Sequence, residues 1–266
     1  MKPSMRSDLW IVGALIVLSV VPGVAGTVRL VELANGATIT AGNARFFANP
    51  LPVLLHIPSA IAFSMLGALQ FAPSFRRRRR GWHRAAGRLL APCGLLVALS
   101  GLWMAQFYPW PLGDGFALYV ERLVFGFAMV VSLLLALLAI RRRDFPLHGA
   151  WMMRAYAIGL GAGTQVLTHI PWFILVNKSP DEVPRAVMMG AGWVINLIVA
   201  EWIIRRARSA PPGAPHWSHR RTIRMPLHGG GTVNGVAAMC RRIATRPPVR
   251  TSAARSAIRV SRSSRR

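Results

Sequence analysis

The sequence predicts an all-α, polytopic membrane protein, a bundle of six transmembrane helices, and three observations carry that prediction. Hydrophobic residues make up 53% of the 266 residues and charged ones only 15%, a balance outside the usual soluble range. The apolar residues come in blocks able to cross about 30 Å of hydrocarbon at about 1.5 Å per residue. Of 33 Lys and Arg, 28 fall in the termini and alternate links that would share one side, which is the bias of cytoplasmic loops. Backbone groups must be satisfied internally in lipid, and blocks this long are helices rather than barrel strands.

The elements follow in order. After Lys2 and Arg6, the block Leu9–Gly26 reads as an uncleaved first span, although "GVAG" also fits a signal-peptide cleavage site. The link 27–49 has room for a small surface helix at most. Leu51–Phe75 is the second span and ends on five consecutive arginines. Leu89–Tyr108 and Phe116–Ile140 are the third and fourth, joined by a short link. Glu121 and Arg122 form a local charge cluster near the start of the fourth. Ala155–Val176 and Ala186–Ile204 complete the set.

Two domains result: residues 1–208, the six-helix membrane domain, and 209–266, a cytoplasmic tail with twelve arginines and no acidic residue. Such a tail buries too little apolar surface to order itself and is drawn to anionic head groups. The net charge of +25 therefore reports topology, and no specific nucleic-acid partner is expected. The predicted location is a bacterial inner (plasma) membrane, multi-pass, with both termini cytoplasmic. Cys93 and Cys240 imply no disulfide framework.

Ionisable residues inside spans are functional-site hypotheses. "LLHIPSA" at 54–60 and "LTHIPWF" at 167–173 each hold a histidine two residues before a proline. By helical rise His56 and His169 lie about 9–10 Å below the same face. Pro58 and Pro171 should free the carbonyls of Leu54 and Leu167 and kink the helices. Two facing neutral imidazoles suit axial ligation of haem b; a transition metal or a quinone carbonyl are alternatives for the same pair. Gly159, Gly161 and Gly163 would leave room for a flat ring. The alternative is structural: Gly159 and Gly163 let helices approach, and the histidines bond neighbouring helices.

On the arginine-rich side His83 and His148 form a second layer, with Arg84, Arg88 and Arg154 nearby. Phosphate or lipid contact, interfacial anchoring and haem ligation are the three readings there. Gln70, Asn196 and Glu201 are interior polar residues; Glu201 has Arg205 one turn on and Arg154 on a neighbouring span as candidate partners. The tryptophans mostly sit near span ends, as an aromatic belt does. No CxxC, HExxH, Walker or dinucleotide-binding pattern occurs. With only eight acidic residues, mostly at surfaces, a hydrolase triad is disfavoured.

"HRAAGR" after "LGALQF", then "HGAWMMRAYA", then "GWVINLIVAEW" resemble the bacterial predicted membrane proteins grouped as domain of unknown function 2306, over roughly 50–205. The matching positions are His56, Gln70, His83, Arg84, Gly87, His148, Trp151, Met152, Arg154, Tyr156, Trp193, Asn196, Glu201 and Trp202. The family usually has Arg where Gly149 stands, and tends to carry another where Gln165–Leu167 stand. The resemblance implies topology and no activity. Two functional readings follow from the residues: a haem-binding, cytochrome-b-like electron-transfer protein, or a non-redox transport or anionic-lipid-interaction protein. No catalytic residue is assigned, and whether the protein is an enzyme stays open.

Overall fold

In the computed structural model the described residues are 5–209. The expected tail, apart from its first residue Ser209, lies outside them, as does Cys240. Nine helices are formed among the described residues: α1 (Met5–Ala34), α2 (Ala44–Ala48), α3 (Leu51–Gln70), α4 (Pro73–Arg78), α5 (Arg80–Phe107), α6 (Phe116–Arg141), α7 (Phe145–Gly159), α8 (Gly161–Val176) and α9 (Glu182–Arg208). Five of them are long and apolar enough to cross a membrane, and six spans result if the bent pair α7 and α8 counts as one. This is an all-α, multi-pass membrane protein.

The short links make successive spans antiparallel. One end of the bundle gathers Arg76, Arg141 and Arg205, the arginine-rich face; the other gathers the links 35–50, 108–115 and 177–181. Contacts run α1 to α3, α3 to α5, α5 to α6, α6 to α9, α9 to α8 and α8 back to α1, closing a ring. Helix α7 touches α3, α5, α6, α8 and α9 and fills the middle. Its composition explains the position, since the small Ala155 and Ala157 let neighbours approach while Tyr156 and Ile158 are buried with Phe63, Leu90, Met129 and Leu133. The Tyr156 hydroxyl donates to the Ser64 carbonyl at 2.6 Å, so the one polar tip in this core is satisfied. Outward-facing Val124, Phe127, Val131 and Ile198 are exposed. A continuous apolar exterior of this kind faces lipid tails rather than water.

Several boundaries differ from the sequence reading. The first helix continues beyond Gly26 to Ala34, and the small helix α2 occupies part of the remaining link. α5 starts at Arg80 rather than Leu89, because arginine is a good helix former and its stem can lie along the bundle end. Helices α3 and α8 run through Pro58 and Pro171. The sharp bend, 45°, falls instead between α7 and α8 at Leu160.

Glycines explain that bend. Leu160 N–H still bonds the Tyr156 carbonyl at 2.9 Å, but Gly163 N–H bonds back only three residues, to Leu160, at 3.0 Å. Gly159 and Gly161 are weak helix formers, and neighbours occupy the space their side chains would need. A Cβ at Gly161 would sit 2.3 Å from the Trp193 ring, and one at Gly163 only 2.1 Å from the Leu18 carbonyl oxygen. The expected room for a flat ring beside Gly161 and Gly163 is therefore filled by α9 and α1. Gly159 alone of the three borders open space.

Candidate functional site

A cavity of about 330 Å³ runs from the 108–115 link into the middle of the bundle. Its wall combines Arg45, His56, Arg122 and Gln165 with apolar and aromatic residues, among them Phe125 and Trp193. These two rings stack at 4.7 Å, 25° from parallel, across α6 and α9. The volume is at the small end of the ligand-pocket range.

His56 comes from the first half of α3 and turns toward α5. Its Nδ1 lies 3.0 Å from Ser100 Oγ, and Ser100 spends its own proton on the Leu96 carbonyl. The hydroxyl can then only accept, so Nδ1 carries the imidazole proton. The Val97 carbonyl, a second neighbour on the same helix, also only accepts. The remaining nitrogen, Nε2, thus presents a lone pair, and no residue among those described bonds it. Gly101 packs beside the ring, its Cβ position lying in ordinary contact distance, 3.5 Å, of His56 Cε1.

Gln165 enters the wall from α8. It is 7% exposed, and its amide nitrogen donates to the Met189 carbonyl at 3.1 Å, which fixes the side chain and leaves its oxygen without a bond among the described residues.

The mouth is charged. Asp114, whose side chain is 1% exposed, is held by Arg122 at 2.6 Å and Arg185 at 2.8 Å. One carboxylate therefore ties the α5–α6 link to α6 and α9. Arg45, from α2, reaches the Pro109 carbonyl at 3.3 Å and lies 4.7 Å over the Phe46 ring. Burial draws its pKa down, Asp114 acts against that, and Arg122 and Arg29 add to it. Tyr108 closes the rim, its hydroxyl donating to the Asn49 carbonyl at 2.6 Å, and burial raises its pKa.

His169 is elsewhere. Its Nδ1 donates to the Gln165 carbonyl of its own helix at 2.7 Å, and the ring leans on Phe173. It is not on the cavity wall, and α3 and α8 form no substantial interface among the described residues. The matched depths of His56 and His169 did not translate into a shared surrounding, because depth fixes height and says nothing about which way each helix is rotated.

Toward the arginine-rich face His83 and His148 do come near each other. His83 Nδ1 meets the Gln70 amide oxygen, and Arg76 and His148 are the charged neighbours of His83. His148 Nδ1 donates across to the Ala136 carbonyl at 2.9 Å. Arg84 and Arg88 stand exposed on α5. Arg154 turns inward instead, pairing with Glu201 through two contacts of 2.5 and 3.1 Å and covering Trp151. The cross-span partner of Glu201 is the one realised. Asn196 bridges three helices, accepting from Thr164 at 2.7 Å and donating to the Ala157 carbonyl at 3.1 Å.

Among the described residues no group of three or more His, Cys, Asp or Glu could hold a metal ion. The family described as "Predicted membrane protein (DUF2306)" matches residues 53–204. The chain belongs to the DUF2306 family. No curated protein and no solved structure matches it. The DUF2306 region supplies most of α3 and α5 through most of α9, hence His56, Phe125, Gln165 and Trp193 of the wall and Ser100 behind His56. Arg45 and Phe46 precede it.

Sequence reasoning missed Ser100, Phe125, Gln165, Trp193, Arg45 and Asp114 as site residues. Gln165 had a signal, a large amide inside an apolar run. Ser100 had none, because a serine in a membrane helix usually bonds its own backbone.

Proposed function

We propose that the protein binds a lipid-soluble redox ring of the hydroquinone class in this cavity, with His56 Nε2 accepting the hydrogen bond of a ring hydroxyl. One arrangement carries the reading: His56 Nδ1 lies beside a Ser100 hydroxyl that donates to the Leu96 carbonyl, which leaves Nε2 as the acceptor, on the cavity wall and without a bond to any described residue. His56 is half-buried and lines the cavity, so a hydroxyl donor brought by a ligand would give this acceptor a hydrogen bond away from bulk water. The Gln165 oxygen offers a second acceptor, and Phe125 and Trp193 offer faces for a flat ring.

By the positive-inside rule the arginine-rich face is cytoplasmic and the cavity opens to the outer half of a plasma membrane. Titration of the protein in nanodiscs with methylhydroquinone, read by tryptophan fluorescence, tests the reading. Saturable quenching that weakens about tenfold or more in His56→Phe is expected, from the loss of one buried hydrogen bond. Unaltered binding in that variant would contradict it.

Haem-mediated electron transfer is the second reading, and it moves from His56 and His169 to His83 and His148. Its support is that these two rings are neighbours and that each engages an oxygen through Nδ1, the habit of ligating histidines. A reduced-minus-oxidised spectrum of protein made with ample haem tests it; a featureless spectrum rejects it and leaves the hydroquinone reading in place. Anionic-lipid contact is left to the exposed Arg84 and Arg88, since Arg154 is engaged by Glu201.

A further inference from the structure

We infer that the ring compound bound in the cavity carries an oxyanion of its own, recognised at the cavity mouth by Arg45. This deepens the proposed function and rests on the cavity being a ring site. The sequence "NARFFANP" places Arg45 in the short helix α2, where it becomes part of the wall beside Tyr108, Pro109 and Trp110. The position is odd for an arginine without an acid. Arg122 and Arg185 share Asp114, Arg154 has Glu201 and Arg29 has Glu32. Arg45 makes no ion pair among the described residues.

Its one hydrogen bond is the 3.3 Å contact to the Pro109 carbonyl, and its Nε is sealed from solvent with no partner. A guanidinium has five donors. Most of them are therefore unspent at the rim of a cavity.

The surroundings say what would use them. The Arg45 guanidinium lies over the Phe46 ring, with Arg29 over the same ring, each 4.7 Å from its centroid. Arg45 is thus held against an aromatic ring, which lowers the ordering cost of a two-pronged contact with a carboxylate or phosphate. The nearest acid, Asp114, is already clasped twice. Glu121 packs against Gly190 on α9 and Glu182 against Gly115, so neither is turned to Arg45. Between Arg45 at the mouth and His56 deeper inside lies an apolar wall. A ligand matching both ends has a hydroxyl-bearing ring inside and a negative group at the outer end.

The test compares methylhydroquinone with homogentisate, the same ring bearing a carboxymethyl arm, on the full-length protein in phosphatidylcholine nanodiscs. Wild type should bind homogentisate about tenfold or more tightly, the value of a charge-assisted hydrogen bond. Arg45→Gln should bring the two affinities to near parity, and Arg45→Lys should restore part of the preference. Equal binding of both rings by wild type, or an undiminished preference in Arg45→Gln, would overturn the inference while leaving the hydroquinone reading standing. Failure of wild type to bind either ring would sink both. Two other sources of an oxyanion are separated by further arms: loss of the preference on adding phosphatidylglycerol assigns Arg45 to a lipid head group, and loss on adding inorganic phosphate assigns it to the free ion. Either result overturns the assignment to the ligand.

Discussion

Replacing Gly163 by alanine probes how closely α1 and α8 are packed. The new Cβ would stand 2.1 Å from the Leu18 carbonyl oxygen and 2.9 Å from its carbon, where ordinary contact begins near 3.4 Å. The obstacle is backbone, so no rotamer change relieves it, and α1 must retreat by more than an ångström. A gap of even about 0.5–1 Å forfeits roughly a quarter to a half of each dispersion contact across an interface, and overpacking of this kind costs about 1–3 kcal/mol. Alanine regains roughly 0.5–1 kcal/mol in helix propensity, leaving a net loss of about 0–2.5 kcal/mol and a deficit of about 1–3 kcal/mol against an unobstructed glycine-to-alanine change. Gly149 in α7 is the control, since a Cβ there meets nothing within 4 Å and should add the propensity gain alone. Unfolding of the purified variants in mixed detergent micelles, followed by circular dichroism, reads both. Gly163→Ala as stable as Gly149→Ala would refute the packing.

Other expectations come from single contacts. A double-mutant cycle on Arg154→Met and Glu201→Gln should give a coupling of about 1.5–3 kcal/mol, as for a hydrogen-bonded charge pair; additive effects would mean the pair is not formed. Asn196→Leu, measured by the same unfolding assay, should lose about 0.6–2 kcal/mol through the stranded Thr164 hydroxyl and Ala157 carbonyl, and a neutral result would argue against the three-helix bridge. Asp114→Asn should loosen the clasp on Arg122 and Arg185 and speed proteolysis in the 108–115 link, whereas unchanged cleavage would place the clasp's energy near zero.

Much of the architecture could be read from block lengths and charge placement, because hydrocarbon thickness and the absence of water impose a length and a helical backbone on any spanning segment. The bent α7 and α8 pair was less legible. Prolines 58 and 171 looked like the bending points, yet a helix supported on several sides tolerates proline, while the glycines around Leu160 respond to Phe63, Trp193 and Leu18, residues remote in sequence.

The site divides in the same way. His56 was visible as an ionisable group in an apolar span. Its importance depends on Ser100, 44 residues later, which sets the tautomer. His169 carried the identical tripeptide and a matching depth, but helical rotation turned it to its own Gln165 carbonyl. Asn196 and Glu201 found partners on neighbouring helices, as amides and carboxylates inside a membrane must.

Titration of wild type and His56→Phe with methylhydroquinone in nanodiscs bears most directly on the proposed role of this cavity. Saturable binding by wild type, weakened about tenfold or more in the variant, is the predicted result. Saturable binding of equal strength in both proteins, or none in wild type, would contradict it.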